Sequence, residues 1–189
     1  MEKRNHSQAV SLPLPTHAPP SLYNTYHSNP KKYLTDKDTI HSYLSVYDKL
    51  FGHRKYESLT ILEIGILWGG SLLLWAAYFP NAEIVGVDIR KLRDINHPRI
   101  HPIYQDVKQV DDFIFNHFDI IIDDGSHKIQ DQLFSVRKFY RMLKNDGLLI
   151  IEDVKGKHKP VFEKLHPLQI IDCRNIKSRY DDILVVFKR

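Results

Sequence analysis

Cysteine and glycine are both scarce in this chain: one and eight of 189 residues. The single cysteine, Cys173, excludes an intrachain disulfide, so a reducing compartment, the cytoplasm, is the default expectation. No apolar run reaches the ~18 residues of a transmembrane helix, so no membrane span is expected. The start, Met1-Glu2-Lys3-Arg4-Asn5-His6, lacks the apolar stretch of a secretory leader. There is no internal repeat. The formal charge is only +4, and outside Lys155-Gly156-Lys157-His158-Lys159 the basic residues are scattered. Without a basic stripe or an RNA-binding motif, a nucleic-acid partner is not expected. Hydrophobic residues at 42% and charged residues at 26% fit a water-soluble globular protein. The length favours one domain around one core.

Residues 1–22 carry Pro13, Pro15, Pro19 and Pro20 among Ser, Thr and His. They have little to bury and are expected to be a flexible segment preceding a single domain over residues 23–189. Residues 23–34 read as irregular. A helix is predicted from Thr35-Asp36, which make good N-caps, to Phe51, with Ile40, Tyr43, Leu44, Tyr47 and Leu50 as its packing stripe. His41 lies one position off that stripe and faces a cleft in this reading. From there β and α patterns alternate. Strands are expected at 59–65, 83–89, 100–104, 118–123 and 148–151, and helices at 72–78, 110–116, 128–144 and 160–165. Such alternation predicts an α/β doubly wound sheet. The last two strands, 168–172 and 183–188, are separated by only about ten residues, too few for a parallel crossover, so they should pair antiparallel.

The few glycines cluster where ligands bind in such sheets. Glu63-Ile64-Gly65-Ile66-Leu67-Trp68-Gly69-Gly70-Ser71 leaves the first strand and opens a helix, where close backbone approach and a helix N-terminus suit a ligand. The Gly-x-x-x-Gly-Gly spacing differs from the Gly-x-Gly-x-x-Gly of dinucleotide sites. Asp88 ends the second strand, where a carboxylate can accept from both hydroxyls of a ribose. Phe118-Asp119-Ile120-Ile121-Ile122-Asp123-Asp124-Gly125-Ser126-His127 is a buried strand running into Asp123, Asp124 and His127. A carboxylate and an imidazole on a glycine turn can ligate a metal, move a proton, or merely cap the next helix.

Together, Leu-Glu-Ile-Gly, Gly-Val-Asp-Ile, Ile-Asp-Asp-Gly-Ser-His and Ile-Ile-Glu-Asp-Val resemble the S-adenosylmethionine-dependent, metal-dependent sugar O-methyltransferases of the mycinamicin and tylosin type, and their rhamnosyl O-methyltransferase and cephalosporin hydroxylase-like relatives. The resemblance covers roughly residues 33–189, including Thr35-Asp36-Lys37, His41, Tyr43 and Tyr47. It implies a Rossmann-like class I methyltransferase sheet of order 3-2-1-4-5-7-6, with strand 7 antiparallel and helices on both faces. It also implies that Glu63, Gly65, Gly69, Ser71, Asp88, Asp106 and Asp123 serve the cofactor, and that Asp124, Glu152 and Asp153 bind Mg²⁺. His127 would be the general base, with Asp124 beside it in the catalytic pair. His41, Tyr43 and Tyr47 would meet a sugar-containing acceptor. Gln105-Asp106 lacks the glycine that usually precedes it, and the chain is shorter than the macrolide enzymes.

The chemistry fits these residue types. A sugar hydroxyl is a poor nucleophile; Mg²⁺ takes oxygen ligands and lowers a hydroxyl pKa, and His127 can accept the proton. Three carboxylates converging from two strand ends would repel one another without a cation. Other diol acceptors, an RNA ribose or a catechol, are alternatives within the same chemistry, and a catalytically silent cofactor-binding subunit is a third reading. A homo-oligomer is compatible with all of them.

Overall fold

The computed structural model describes residues 20–111 and 117–189. Most of the segment expected to be flexible, and residues 112–116 of the helix expected from Val110, lie outside the described residues.

Seven strands form one sheet: β1 (Thr60–Ile64), β2 (Glu83–Asp88), β3 (Ile100–Tyr104), β4 (Phe118–Asp123), β5 (Leu143–Ile151), β6 (Gln169–Asp172) and β7 (Ile183–Lys188). Their order is β3-β2-β1-β4-β5-β7-β6. The first five run parallel. β7 is antiparallel to both of its neighbours. This is the sheet that the resemblance implied.

Both faces are covered, and the strands show it by alternation. Ile120 and Ile122 join one apolar cluster with Tyr47, Phe51 and Trp75, while Ile121 joins another with Phe139 and Phe162. Helices α1 (Leu22–Ser28), α2 (Leu44–Phe51) and α3 (Gly70–Tyr78) supply the first cluster. Helices α4 (Ile129–Phe139) and α5 (Lys159–Glu163) supply the second. A continuous apolar run is what a strand buried on both faces needs. Among the described residues, no helix is long and apolar enough to cross a membrane.

Three local expectations are corrected. Leu22–Ser28 is helical rather than irregular: the Ser21 hydroxyl caps it by accepting from the Asn24 amide at 3.1 Å, and Leu22 and Tyr26, one turn apart, are both buried. The helix expected from Thr35 begins only at Leu44. Residues 35–43 are wound in turns, with the Ile40 and His41 amides both bonded to the Asp36 carbonyl and the Tyr43 amide to that of Lys37. Ile40, read as core, is 46% exposed, whereas Lys37 and His41 are buried. Inward polar contacts, described below, override the apolar stripe there. Finally, β5 begins at Leu143 rather than at residue 148, because the chain passes from α4 through a 3-10 turn at Tyr140–Met142 directly into the strand. A short helix, α6 (Arg174–Lys177), fills the β6–β7 connection.

Candidate active site

Two loops leave the carboxyl ends of β1 and β4 and touch backbone to backbone. Gly65 has φ +91°, and a Cβ there would stand 2.0 Å from the Asp124 carbonyl oxygen. The Asp124 amide in turn donates to the Ile64 carbonyl at 2.8 Å. Only glycine satisfies both the dihedral and the contact. At Gly70, a Cβ would fall 2.2–2.5 Å from backbone atoms of Leu34, so the segment preceding α2 lies directly on the start of α3.

Asp88 shapes the glycine loop from the neighbouring strand. Its Oδ2 accepts from the Ile66 and Leu67 amides, each at 2.9 Å, and its Oδ1 from the Arg90 amide at 2.9 Å. A carboxylate offers about four acceptor sites, so Asp88 keeps acceptor capacity beyond these three amides.

The strand ends open onto a cavity of about 1120 Å³. Of the residues expected at the cofactor, Gly65, Ser71, Asp88, Asp106 and Asp123 are on its wall, as are Asp124 and His127. Glu63 and Gly69 are not. Glu63 is fully buried below, its Oε2 accepting from Trp75 Nε1 at 3.0 Å. Gly69 closes the turn at φ +70° against Ile95. Burial pushes the Asp123 carboxyl up to about 6, against hydrogen bonds from Ser135 and the Gly125 amide.

Beside the cavity the carboxylates of Asp124, Glu152 and Asp153 converge, and a cation already stands among them. Lys37 Nζ lies 2.6 Å from Asp124 Oδ2, 2.7 and 2.8 Å from the two Glu152 oxygens, and 3.3 Å from Glu63 Oε1. Its side chain is 0% exposed. Burial opposes the ammonium, but Asp124, Glu152 and Glu63 override it and hold its pKa well above the ordinary lysine range. Tyr47 donates to Glu152 as well. Asp153, at φ +55°, accepts from the Tyr43 hydroxyl at 2.7 Å, and His41 Nδ1 sits 3.3 Å from both Asp153 and Asp182. Burial, then the charge of Asp124, raises the Asp153 pKa.

The three residues expected to meet the acceptor are therefore placed otherwise. His41, Tyr43 and Tyr47 are buried beneath the carboxylates and absent from the cavity wall. Lys37 belongs to the Thr35-Asp36-Lys37 motif; converging carboxylates call for a cation, and this lysine, on a segment packed over the strand ends, supplies one.

Glu152 is committed to Lys37 and Tyr47. Among the described residues, Asp124, His127 and Asp153 bring one donor atom each to within 4.8 Å of the others. His127, at φ +54°, has Nε2 3.6 Å from Asp153 Oδ2, and its buried Nδ1 has no hydrogen-bond partner.

No protein-family model matches the chain. Curated relatives do. The chain is 30% identical to an 8-demethyl-8-alpha-L-rhamnosyl tetracenomycin-C 2'-O-methyltransferase of Streptomyces olivaceus, over 68% of this chain and 37% of that protein. It is 32% identical to the mycinamicin VI 2''-O-methyltransferase of Micromonospora griseorubida, over 69% and 36%. The crystal structure of the mycinamycin-pathway methyltransferase MycE with Mg and SAH superposes with a TM-score of 0.72 at 23% identity, over 89% of this chain and 55% of that one.

The fold is the class I methyltransferase fold. The chain is a homologue of the sugar O-methyltransferases of macrolide and tetracenomycin pathways, and it spans about a third of the length of the curated relatives it matches.

Proposed function

We propose that this chain performs an S-adenosylmethionine-dependent, divalent-metal-dependent methyl transfer to a sugar hydroxyl of a glycan or glycoside, in the cytoplasm. One observation carries the reading: Asp124 and His127 belong both to the wall of the cofactor-sized cavity and to the group of donor atoms beside it. The homologues named for sugar O-methylation support it, as does the mycinamycin-pathway enzyme, solved with Mg, SAH and mycinamycin VI.

The residues present fit both groups. Asp88 keeps an acceptor site for a ribose hydroxyl after holding the glycine loop. Asp124 and Asp153 are the hard oxygen donors that Mg²⁺ takes. Around them burial raises the carboxyls of Glu63 and Glu152, and Lys37 reaches both from inside. Asp124 and Asp153 would hold the ion, with Glu152 behind them as the partner of Lys37. When bound, the cofactor supplies an activated methyl group and the ion lowers the pKa of the acceptor hydroxyl. His127 would receive that hydroxyl's proton at Nε2, held by the strained turn after β4 and facing the cavity. Asp123, Ser71 and the loop after β1 line the same cavity.

The test is turnover on a panel of glycosides with and without chelator. EDTA should abolish methyl transfer and Mg²⁺ restore it. His127→Ala should lower turnover about 10²–10⁴-fold, the usual worth of a general base, while S-adenosylhomocysteine and Mn²⁺ still bind. Full turnover in EDTA would remove the metal from the reaction. A native protein that binds NADH and ignores S-adenosylhomocysteine would overturn the methyltransferase reading.

A further inference from the structure

Lys37 belongs to a segment that does two things at once. Residues 33–40 form the outer wall of the cavity, through Tyr33, Leu34, Thr35, Asp36, Thr39 and Ile40. The same segment sends Lys37 inward to Glu63, Asp124 and Glu152, which end or follow β1, β4 and β5. Its fixings differ in kind. Leu34 rests on Gly70 by backbone packing. Lys177, from α6, bonds the carbonyls of Asp38 and His41 from outside, the latter at 2.7 Å. The Ser42 amide donates to Asp182 at 3.2 Å. Within residues 33–40, Lys37 is the residue whose side chain reaches Asp124 and Glu152.

A buried ammonium with one partner is unfavourable; with three carboxylates in reach it is held firmly, and so are they. Asp124 is the shared member: its backbone meets Gly65, its side chain meets Lys37, and it lines the cavity. We propose that Lys37 is a positioning residue that fastens the 33–40 segment as a wall of the cofactor cavity and, through the same ammonium, tempers the charge of Asp124 beside the cation site and so holds down its affinity for the ion. Closing the cofactor cavity and tempering the carboxylates are then one event. The inference rests on the cofactor and metal reading above and adds Lys37 to it.

A lysine that merely stabilises the fold and one that positions the site respond differently to substitution. Lys37→Met keeps the length and removes the charge. The wall then loses its inner fixing, and the dissociation constant for S-adenosylhomocysteine, measured by calorimetry, should rise roughly tenfold. The carboxylates lose a competing positive charge, so Mn²⁺, followed by its electron paramagnetic resonance signal, should bind roughly tenfold tighter, since like-charge repulsion at such distances is strong in a buried site. Lys177→Met should speed hydrogen exchange at the Ile40 and His41 amides while leaving the Mn²⁺ affinity at its native value.

Parallel weakening of both ligands by Lys37→Met would reduce Lys37 to a structural residue and overturn the proposal. So would no change in either. Should Lys37→Met fail to fold, Lys37→Met/Glu152→Gln removes one charge of each sign; native-like S-adenosylhomocysteine affinity in that variant also overturns the proposal, and weakened affinity supports it. A native protein that ignores S-adenosylhomocysteine sinks the cofactor reading instead, and the Mn²⁺ measurements still decide whether Lys37 tempers the carboxylates.

Discussion

The Tyr43 hydroxyl is bonded twice to one residue: it donates to Asp153 Oδ1 at 2.7 Å and accepts from the Asp153 amide at 3.3 Å. The ring is held by stacking on His41, with centroids 4.9 Å apart. Tyr43→Phe therefore keeps the packing and leaves a buried amide and a buried carboxylate short of a partner. Chemical denaturation should show a loss of about 1.5–3 kcal/mol, the range for hydrogen bonds to charged groups. An unchanged midpoint would mean that water replaces the hydroxyl.

Glu152 and Asp153 are adjacent in sequence yet differ in environment. Asp153→Asn should weaken Mn²⁺ binding at least roughly tenfold, because a member of the converging donor group becomes neutral. Glu152→Gln should act mainly on stability, lowering it by about 1–3 kcal/mol, since Lys37 keeps Glu63 and Asp124 as partners. The reverse ordering of metal affinities would make Glu152 a ligand, as the motif suggested.

Gly65→Ala forces a Cβ to within 2.0 Å of the Asp124 carbonyl at a dihedral that L-residues rarely adopt. A loss of about 2 kcal/mol or more is expected, with weakened metal and cofactor binding because the two loops must part. Gly52→Ala is the control. Its φ is −56°, and its nearest neighbour is the Tyr78 hydroxyl at 3.4 Å. It should stay within about 1 kcal/mol of native or gain slightly. Equal losses would show that the β1–β4 loop contact is soft.

Cys173 is buried, and burial first, then Asp182 and Asp172, pushes its thiol up to about 11. An unfolded thiol ionises near about 8.5. Because the native pKa is the higher, the native thiol contributes fully below about pH 8.5, and that contribution is lost as pH climbs toward 11. Cys173→Ala should lack this component, so native protein should lose stability relative to the variant across that range in urea titrations at stepped pH. A difference that does not change with pH would place the thiol in contact with solvent. Alkylation of native Cys173 at pH 8 should likewise be slow.

The strands were legible because each carries its own evidence. Ile183–Lys188 and Ile100–Tyr104 have the same limits in sequence and structure, since apolar continuity between turn residues is a local signal. Asp88 could be found by its position at the end of a strand, and Asp124 and His127 by theirs just past one. The segment 35–43 misled for an equally physical reason. Ile40, Tyr43, Leu44 and Tyr47 recur at helical spacing, but the chain is held by Lys37 contacts to residues 87 and 115 positions away. No local pattern reports a partner that distant. Tyr43 and Tyr47 are buried, as their place on the packing stripe implies, and their hydroxyls meet Asp153 and Glu152 rather than the acceptor that the resemblance assigned to them.

The placement of β7 has a consequence for how the molecule can be made. This strand lies inside the sheet, between β5 and β6, with its residues buried from Ile183 to Phe187. Just before it, Asp182 receives the Ser42 amide and faces His41, beside Tyr43 and Asp153. During synthesis the amino-terminal segment therefore emerges more than a hundred residues before the strand and carboxylate it docks against. Until residues 182–188 have left the ribosome, His41 and Ser42 have no completed surface to close on, so binding competence should appear late and abruptly in a series of stalled nascent chains, rather than accumulating strand by strand.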